Sequence, residues 1–321
     1  MSDTAIPLPA TRRRSAPRGA FMARIFEWLC FSAATLLLTA LGGLMISLLL
    51  GGWPTFQKFG LDFLTSSTWN PVTEVYGAAG PILGTLITSA LALVLALPVA
   101  AGVAFFLTEL CPAILRRPIG VAVELLAGIP SIVYGMWGLF IFAPIFSKYV
   151  HMPMMMSAKP GSFMEKVTDG VPNGTGILPA SIILAIMILP FMAATLRELL
   201  DTVPPVVRES AYGLGATTAE VVMSVTLPYV RTGAIGAVML GLGRALGETM
   251  AVTFIIGNSH VFPKSLFDSG STIASTIASE WAEASPAQAS ALIALGFVLF
   301  VITFAVLACA RLLLRKQEHT L

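Results

Sequence analysis

Six long apolar runs separated by polar stretches constrain this chain more than any other feature: Phe26–Leu50, Gly80–Leu107, Val121–Phe146, Gly176–Leu196, Thr232–Gly257 and Gln288–Leu313. A helix needs about 20 mostly apolar residues to cross a bilayer, and each run supplies them. In hydrocarbon the backbone must satisfy its own hydrogen bonds, so apolar runs of this length read as helices. Pro98, Pro130 and Pro190 lie inside the runs and are tolerated where neighbouring helices re-satisfy the freed groups. The balance of 56% apolar to 11% charged residues falls well below the quarter or so of charged residues in a soluble domain. The fold class predicted is an all-α polytopic membrane protein with six transmembrane helices.

Lysine and arginine in the loops set the orientation. With the N-terminus cytoplasmic, thirteen of the nineteen basic residues fall on the inside and five outside, leaving Arg244 within a run. Both termini are therefore expected on the cytoplasmic side. The segments that follow are a basic tail over 1–25, a first span over 26–50, an outside loop over 51–79, a helical region over 80–313 and a short tail over 314–321. The outside loop with Trp53, Trp69 and Tyr76 reads as interfacial turns and short helices. Ser269–Ser279 reads as a short surface helix, and Met152, Met154, Met155 and Met156 beside His151 as an adaptable apolar loop.

A net charge of +2 gives no reason to expect nucleic acid as a partner. Cys30, Cys111 and Cys309 show neither a metal spacing nor a disulfide framework and read as small buried thiols. No cofactor and no metal site is expected. His151, His260 and His319 stand far apart, and no hydrolytic constellation emerges. No Gly-Lys dipeptide occurs anywhere, so the chain has no phosphate-cradling P-loop and no catalytic residues are assigned.

The inside loop Arg197–Arg231, with its centre at 201–230, does not read as a passive connector. Pro204 and Pro205 can open a helix, since the first turn does not need their missing N–H. Gly213 and Gly215 supply a turn with positive φ. Thr217 with Glu220 is a capping-box pattern ahead of the apolar run Val221–Leu227, and Pro228 marks where that second helix stops or bends. A helix–turn–helix on the membrane face results.

The fifth run holds a charged pair. Arg244 and Glu248 are four residues apart, on one face of a continuous helix. Gly241, Gly243 and Gly247 surround them, the last two in GxxxG spacing. A mid-membrane charge costs about 2.5–3.5 kcal/mol on insertion scales. Two readings stay open: self-neutralising glue between helices, or a translocation path in which Arg244 attracts an oxyanion and Glu248 tempers its grip. A guanidinium fork suits tetrahedral oxyanions. Glu248 could accept a hydrogen bond from a protonated one, as phosphate is at neutral pH and sulfate is not.

These residues carry a family resemblance. Glu209-Ser210-Ala211, Gly215 after three residues, and Val225-Thr226-Leu227-Pro228 after nine more resemble the EAA signature of ABC-importer permeases, with Ser210 and Val225 as mild departures. Arg244-Ala245-Leu246-Gly247-Glu248-Thr249-Met250-Ala251-Val252 is similar to the fifth-span motif of phosphate-specific ABC permeases of the PstC type. Gly128-Ile129-Pro130-Ser131-Ile132-Val133-Tyr134-Gly135 with Trp137-Gly138-Leu139-Phe140, and Trp69-Asn70-Pro71 with Tyr76-Gly77, are similar to other segments of that family. On physics alone Pro130 kinks a span and Gly128 and Gly135 let helices touch.

The resemblance implies a type I ABC importer (MetI-like) permease core of five helices, 80–313, plus one added peripheral N-terminal helix. It implies an inner-membrane subunit importing inorganic phosphate. Its partners would be a related permease of the PstA type, two copies of a separate ATPase, a periplasmic phosphate-binding protein, membrane lipid and, as the family allows, a signalling partner. Glu209, Ala211, Gly215, Leu227 and Pro228 would then belong to the ATPase-coupling loop. The alternatives are a permease for another oxyanion such as sulfate or molybdate, an ATP-independent channel or secondary transporter, and a non-transporting membrane scaffold.

Overall fold

The computed structural model describes residues 19–159 and 161–318, with side chains over 22–159 and 161–312. The tail through Arg18 and His319 lie outside the described residues, as do the side chains of Arg315 and Lys316. Among the described residues, six helices are long and apolar enough to cross a membrane: Met22–Phe59, Ala79–Leu110, Ser131–Ser157, Ile177–Asp201, Thr218–Leu246 and Pro286–Leu312. The chain divides into two units, Met1–Ser47 and Leu48–Leu321. In the first, every described side chain except half-buried Gly42 is exposed.

The second unit is built around the fourth span. Ile183, Leu184, Met187, Ile188 and Met192 on that helix are buried, and so are Ala92, Ala96, Ala100 and Ala104 on the second span. An alanine every fourth residue makes a smooth stripe along one helix face, which lets two backbones approach closely where no water drives association. Leu36, Phe140 and Phe304 are exposed on the outer surfaces, as expected of helices solvated by lipid.

Four widened, π-helical turns interrupt the spans, at Phe106–Leu110, Gly138–Phe142, Ser147–His151 and Val222–Thr226. Each ends two residues before a proline: Pro112, Pro144, Pro153 and Pro228. Proline cannot bond the carbonyl four residues back and its ring crowds that carbonyl. Widening the turn by one residue offers the carbonyl to the next N–H instead. Pro228 therefore does not stop the second helix of the inside loop, which runs on into the fifth span.

Other boundaries also move. The first helix continues to Phe59 through Pro54, beyond the predicted end at Leu50. The predicted third run is split in two: Ala113–Ala127 is a separate helix, and the span begins at Ser131 after Gly128-Ile129-Pro130. Proline pushes the residue before it out of the helical region, which explains the break. That span continues to Ser157, so His151 and the methionines are helical. The fifth helix ends at Leu246, eleven residues short of the predicted Gly257, and a single turn follows at Met250–Thr253. Ala251, Val252, Ile255 and Ile256 are all buried, so this irregular backbone is enclosed in protein, the condition on which a membrane tolerates it.

The predicted surface helix is Ile273–Glu280, and Ile273, Ala274, Ser275 and Thr276 are buried in it. Its small hydroxyl residues are satisfied locally, Ser275 Oγ and Thr276 Oγ1 each donating to the Thr272 carbonyl at 3.0 and 2.9 Å, so burial leaves no polar group stranded. In the loop after the first span, Trp69–Asn70 pairs antiparallel with Val75–Tyr76, a two-residue ribbon absent from the all-helical expectation. Cys111 is buried, whereas Cys30 and Cys309 are exposed on the apolar surface, which corrects the expectation that all three thiols are buried.

Candidate functional site

The inside loop folds as a short helix, Pro205–Gly213, with Pro204 at its N-cap. Gly215 takes φ +88°, a conformation that costs an L-residue about 1 kcal/mol or more. Gly213 instead closes the helix in ordinary geometry, so only one of the two glycines supplies the turn. Thr217 and Glu220 form the capping box: Glu220 N–H donates to Thr217 Oγ1 at 3.4 Å, and Thr217 N–H to Glu220 Oε2 at 2.8 Å. From Thr218 the chain is one helix into the membrane.

Glu209, Gly215 and Pro228 are exposed, while Ala211 and Leu227 are half-buried. Leu214 is 90% exposed, with Val206 and Met223 also projecting. These bare apolar side chains lie on and beside the loop's short helix.

Arg208, not Glu209, carries the loop's ion pair. Its Nη1 lies 3.1 Å from Glu109 Oε1, with side chains 17% and 7% exposed. The alignment is not that of a hydrogen bond, and Glu109 Oε1 has no hydrogen-bond partner among the described residues, so the contact is ionic. Arg208 Nη2 donates to the Leu200 carbonyl in the last turn of the fourth span. Sequence reasoning passed over both residues. One signal was available: Glu109 is the sole acid between Glu74 and Glu124, placed where an apolar run ends.

At the opposite end of this continuous helix, Arg244 sits in its last turn, where a positive charge complements the helix dipole. Its guanidinium carbon lies 5.6 Å from the centre of the Phe191 ring, within range of a cation–π contact. Arg244 is exposed and Glu248 half-buried. The helix ends between them, and Glu248 Oε1 accepts from Ala251 N–H at 3.2 Å, capping the turn that follows. Among the described residues no ion pair joins Arg244 to Glu248, so they neither share a continuous helix face nor neutralise each other. Gly135 of the third span packs on this break: a Cβ there would stand 3.0 Å from both Ala251 Cα and the Met250 carbonyl.

A second polar cluster, also missed, lies at the other end of the bundle. Glu280 accepts from Trp69 Nε1 and Gln288 Nε2, each at 2.7 Å, and bonds His260 Nε2 at 2.6 Å. The indole of Trp69 stacks on His260 with centroids 5.3 Å apart. Burial acts to raise the Glu280 pKa, but the hydrogen bonds from His260 and Trp69, the charge of His260 and the bond from Gln288 outweigh it, leaving the carboxyl below its ordinary value. His151 is buried apart from this cluster, against Phe267, with Nε2 3.2 Å from the Thr168 carbonyl.

Residues 100–319 match the family described as binding-protein-dependent transport system inner membrane component. The phosphate transport system permease protein PstC of Mesorhizobium japonicum is 52% identical over 323 residues, covering 99% of this chain and 98% of that protein. The chain belongs to the PstC family of permeases. The PstC proteins of Pasteurella multocida (53% identity, 87% of each chain) and Mycobacterium tuberculosis (PstC 1; 37%, 84% of this chain and 81% of that one) extend the relation.

Among solved structures, a bacterial alginate ABC transporter, in complex with alginate pentasaccharide-bound periplasmic protein, superposes with a TM-score of 0.59 at 17% identity. It covers 93% of this chain and 98% of that one. The MetNI methionine ABC transporter gives 0.51 at 18% identity, covering 77% and 94%. At these identities the likeness establishes the fold: a type I ABC importer permease, MetI-like, with six membrane helices.

Proposed function

We propose that this chain is the permease subunit of an ATP-driven importer for inorganic phosphate. It would share the path with a PstA-type permease and draw motion from two copies of a separate ATPase. A phosphate-binding protein would deliver substrate from outside. The observation that carries this reading is a single helix with the exposed Pro205–Gly213 loop at one end and Arg244 beside a break at the other. A partner that displaces the loop pushes on a rigid rod whose far end holds the intramembrane cation. The names of the PstC relatives supply the substrate.

In this reading Arg244 meets the oxyanion, and the exposed guanidinium, unpaired by Glu248, keeps its donors for a ligand. One oxygen of Glu248 is used on Ala251 N–H; a carboxylate has a second, suited to accept from a protonated phosphate. Glu209, Ala211, Gly215, Leu227 and Pro228 belong to the docking loop. The protein is placed in the inner membrane with both termini cytoplasmic, following the excess of Arg and Lys on that side. The core is taken as 80–313, with Met22–Phe59 a peripheral addition.

The test is uptake of labelled phosphate, sulfate and molybdate in a deletion strain carrying the parent chain or Arg244→Gln. The parent should restore phosphate uptake alone, and the variant should lose at least tenfold. Equal sulfate uptake would overturn the substrate, and an unchanged variant would remove Arg244 from the path.

A further inference from the structure

Arg208 gathers three elements at one point. It belongs to the exposed Pro205–Gly213 helix, its Nη1 faces Glu109 of the second span at 3.1 Å, and its Nη2 holds the Leu200 carbonyl of the fourth. Both side chains are largely enclosed, so water screens the pair little and neither charge has a nearby solvent refuge. Leu200 O lies in the last turn of its helix and accepts from Val203 N–H at 3.3 Å as well as from Arg208. Arg116 does the same for the second span, its Nη2 donating to Thr108 O at 2.7 Å, next to Glu109. The covalent route from the short helix runs forward into the fifth span. Nothing covalent ties it to the second, and the fourth is reached only through the turn Thr202–Pro204.

We propose that Arg208 and Glu109 are positioning residues that carry displacement of the short helix into the second and fourth spans, so that three spans move as one body. This rests on the reading of Pro205–Thr217 as the ATPase-docking loop. Without the pair, the short helix would reach the second and fourth spans only through the turn Thr202–Pro204 and through the fifth span, whose Gly233 and Gly241 pack on Leu199 and Met192, and its displacement would be shared unevenly. ATP would then be hydrolysed without a matching change of the path. The two residues touch neither nucleotide nor substrate; they set how much transport each hydrolysis produces.

The experiment uses the full complex in proteoliposomes, measuring phosphate uptake and ATP hydrolysis together in the parent, Glu109→Gln, Arg208→Gln, Arg208→Lys and the swap Glu109→Arg/Arg208→Glu. Copurification of the ATPase with the parent, and ATP-dependent uptake by it, test the docking reading first. Failure there is separate from failure of the pair. Glu109→Gln, outside the docking loop, should keep the ATPase bound and basal hydrolysis within twofold, and uptake per ATP should fall at least fivefold in both neutral variants. Arg208→Lys and the swap should recover at least half of it. Unchanged uptake per ATP in the neutral variants overturns the proposal, as does a swap that assembles but recovers nothing.

If the neutral variants do not assemble, Glu109→Cys/Arg208→Cys in a chain lacking Cys30, Cys111 and Cys309 decides it. Lacking the pair, this variant should transport poorly per ATP, and joining the two positions with a short bifunctional thiol reagent should raise uptake per ATP at least threefold; no gain overturns the proposal. Loss of transport on joining shows that they separate during the cycle and overturns the proposal.

Discussion

The two ends of the bundle handle polar groups in opposite ways. At the end proposed to face outward, Trp69, His260 and Gln288 converge on Glu280 from three other segments of chain and satisfy one another. At the end proposed to face inward, Leu214, Val206 and Met223 stand bare over a single enclosed ion pair. The Glu280 cluster is complete by itself, with Val72 and Val261 bare beside it. The other end holds its loop firmly from beneath and leaves the upper surface for something else to cover. A rigid outer cap with an unfinished inner loop suits a machine moved from the inside.

The sharpest way to break this contrast is to remove the hub of the complete end. Glu280→Ala strands three donors and should cost about 3 kcal/mol, read as a lowered thermal midpoint in detergent. The hub also carries a pH signature. Because the Glu280 carboxyl lies below its ordinary value near 4.5, its contribution is complete above that value and is lost as pH falls through the folded-state value. Glu280→Gln should therefore flatten the decline of the thermal midpoint as pH falls below about 4.5; an unchanged slope would show that the hub does not hold this end.

Next in size is the contact beneath the fifth-span break. Gly135→Ala places a methyl 3.0 Å from the Ala251 Cα and the Met250 carbonyl, backbone atoms that cannot swing aside. The cost should be about 2 kcal/mol, with phosphate uptake falling further than stability, since the displaced turn carries the Glu248 cap. Gly215→Ala comes lower. Its φ of +88° disfavours a side chain by about 1 kcal/mol, while the space around it is open. The thermal midpoint should move by a degree or two, and a larger loss would mean the turn is less free than it looks.

These effects divide along the line between what was legible in the sequence and what was not. Hydrophobic runs show spans because every residue of a lipid-facing helix votes for the same answer. Hence all six were readable, and so was the capping box at Thr217 and Glu220. Breaks are another matter. Pro130 announces its own, but Gly247-Glu248-Thr249 sits in a run whose hydropathy continues to Gly257, and the burial that permits an irregular backbone there comes from other spans. The Glu280 hub joins positions 20 and 211 residues away, separations at which no local pattern exists. The inside loop fell between these cases. Its spacing was readable, yet the choice of Arg208 over Glu209 as the tied residue depends on Glu109, nearly a hundred residues earlier.

The smallest change in stability tests the unfinished end most directly. Leu214 is 90% exposed and packs on nothing that its removal would strand, so Leu214→Glu should shift folding by less than about 0.5 kcal/mol. If the bare surface is a docking face, a carboxylate at its most prominent point must be desolvated against the partner, and burying an unpaired charge is among the costliest changes available to an interface. Copurification of the ATPase should then fall at least tenfold while the thermal midpoint of the permease stays put. Glu280→Ala predicts the reverse, a lower midpoint with ATPase capture intact in whatever fraction remains folded. If Leu214→Glu instead retains the ATPase at parental levels, the exposed side chains at this end are merely bare, and the contrast between the two ends loses its functional meaning.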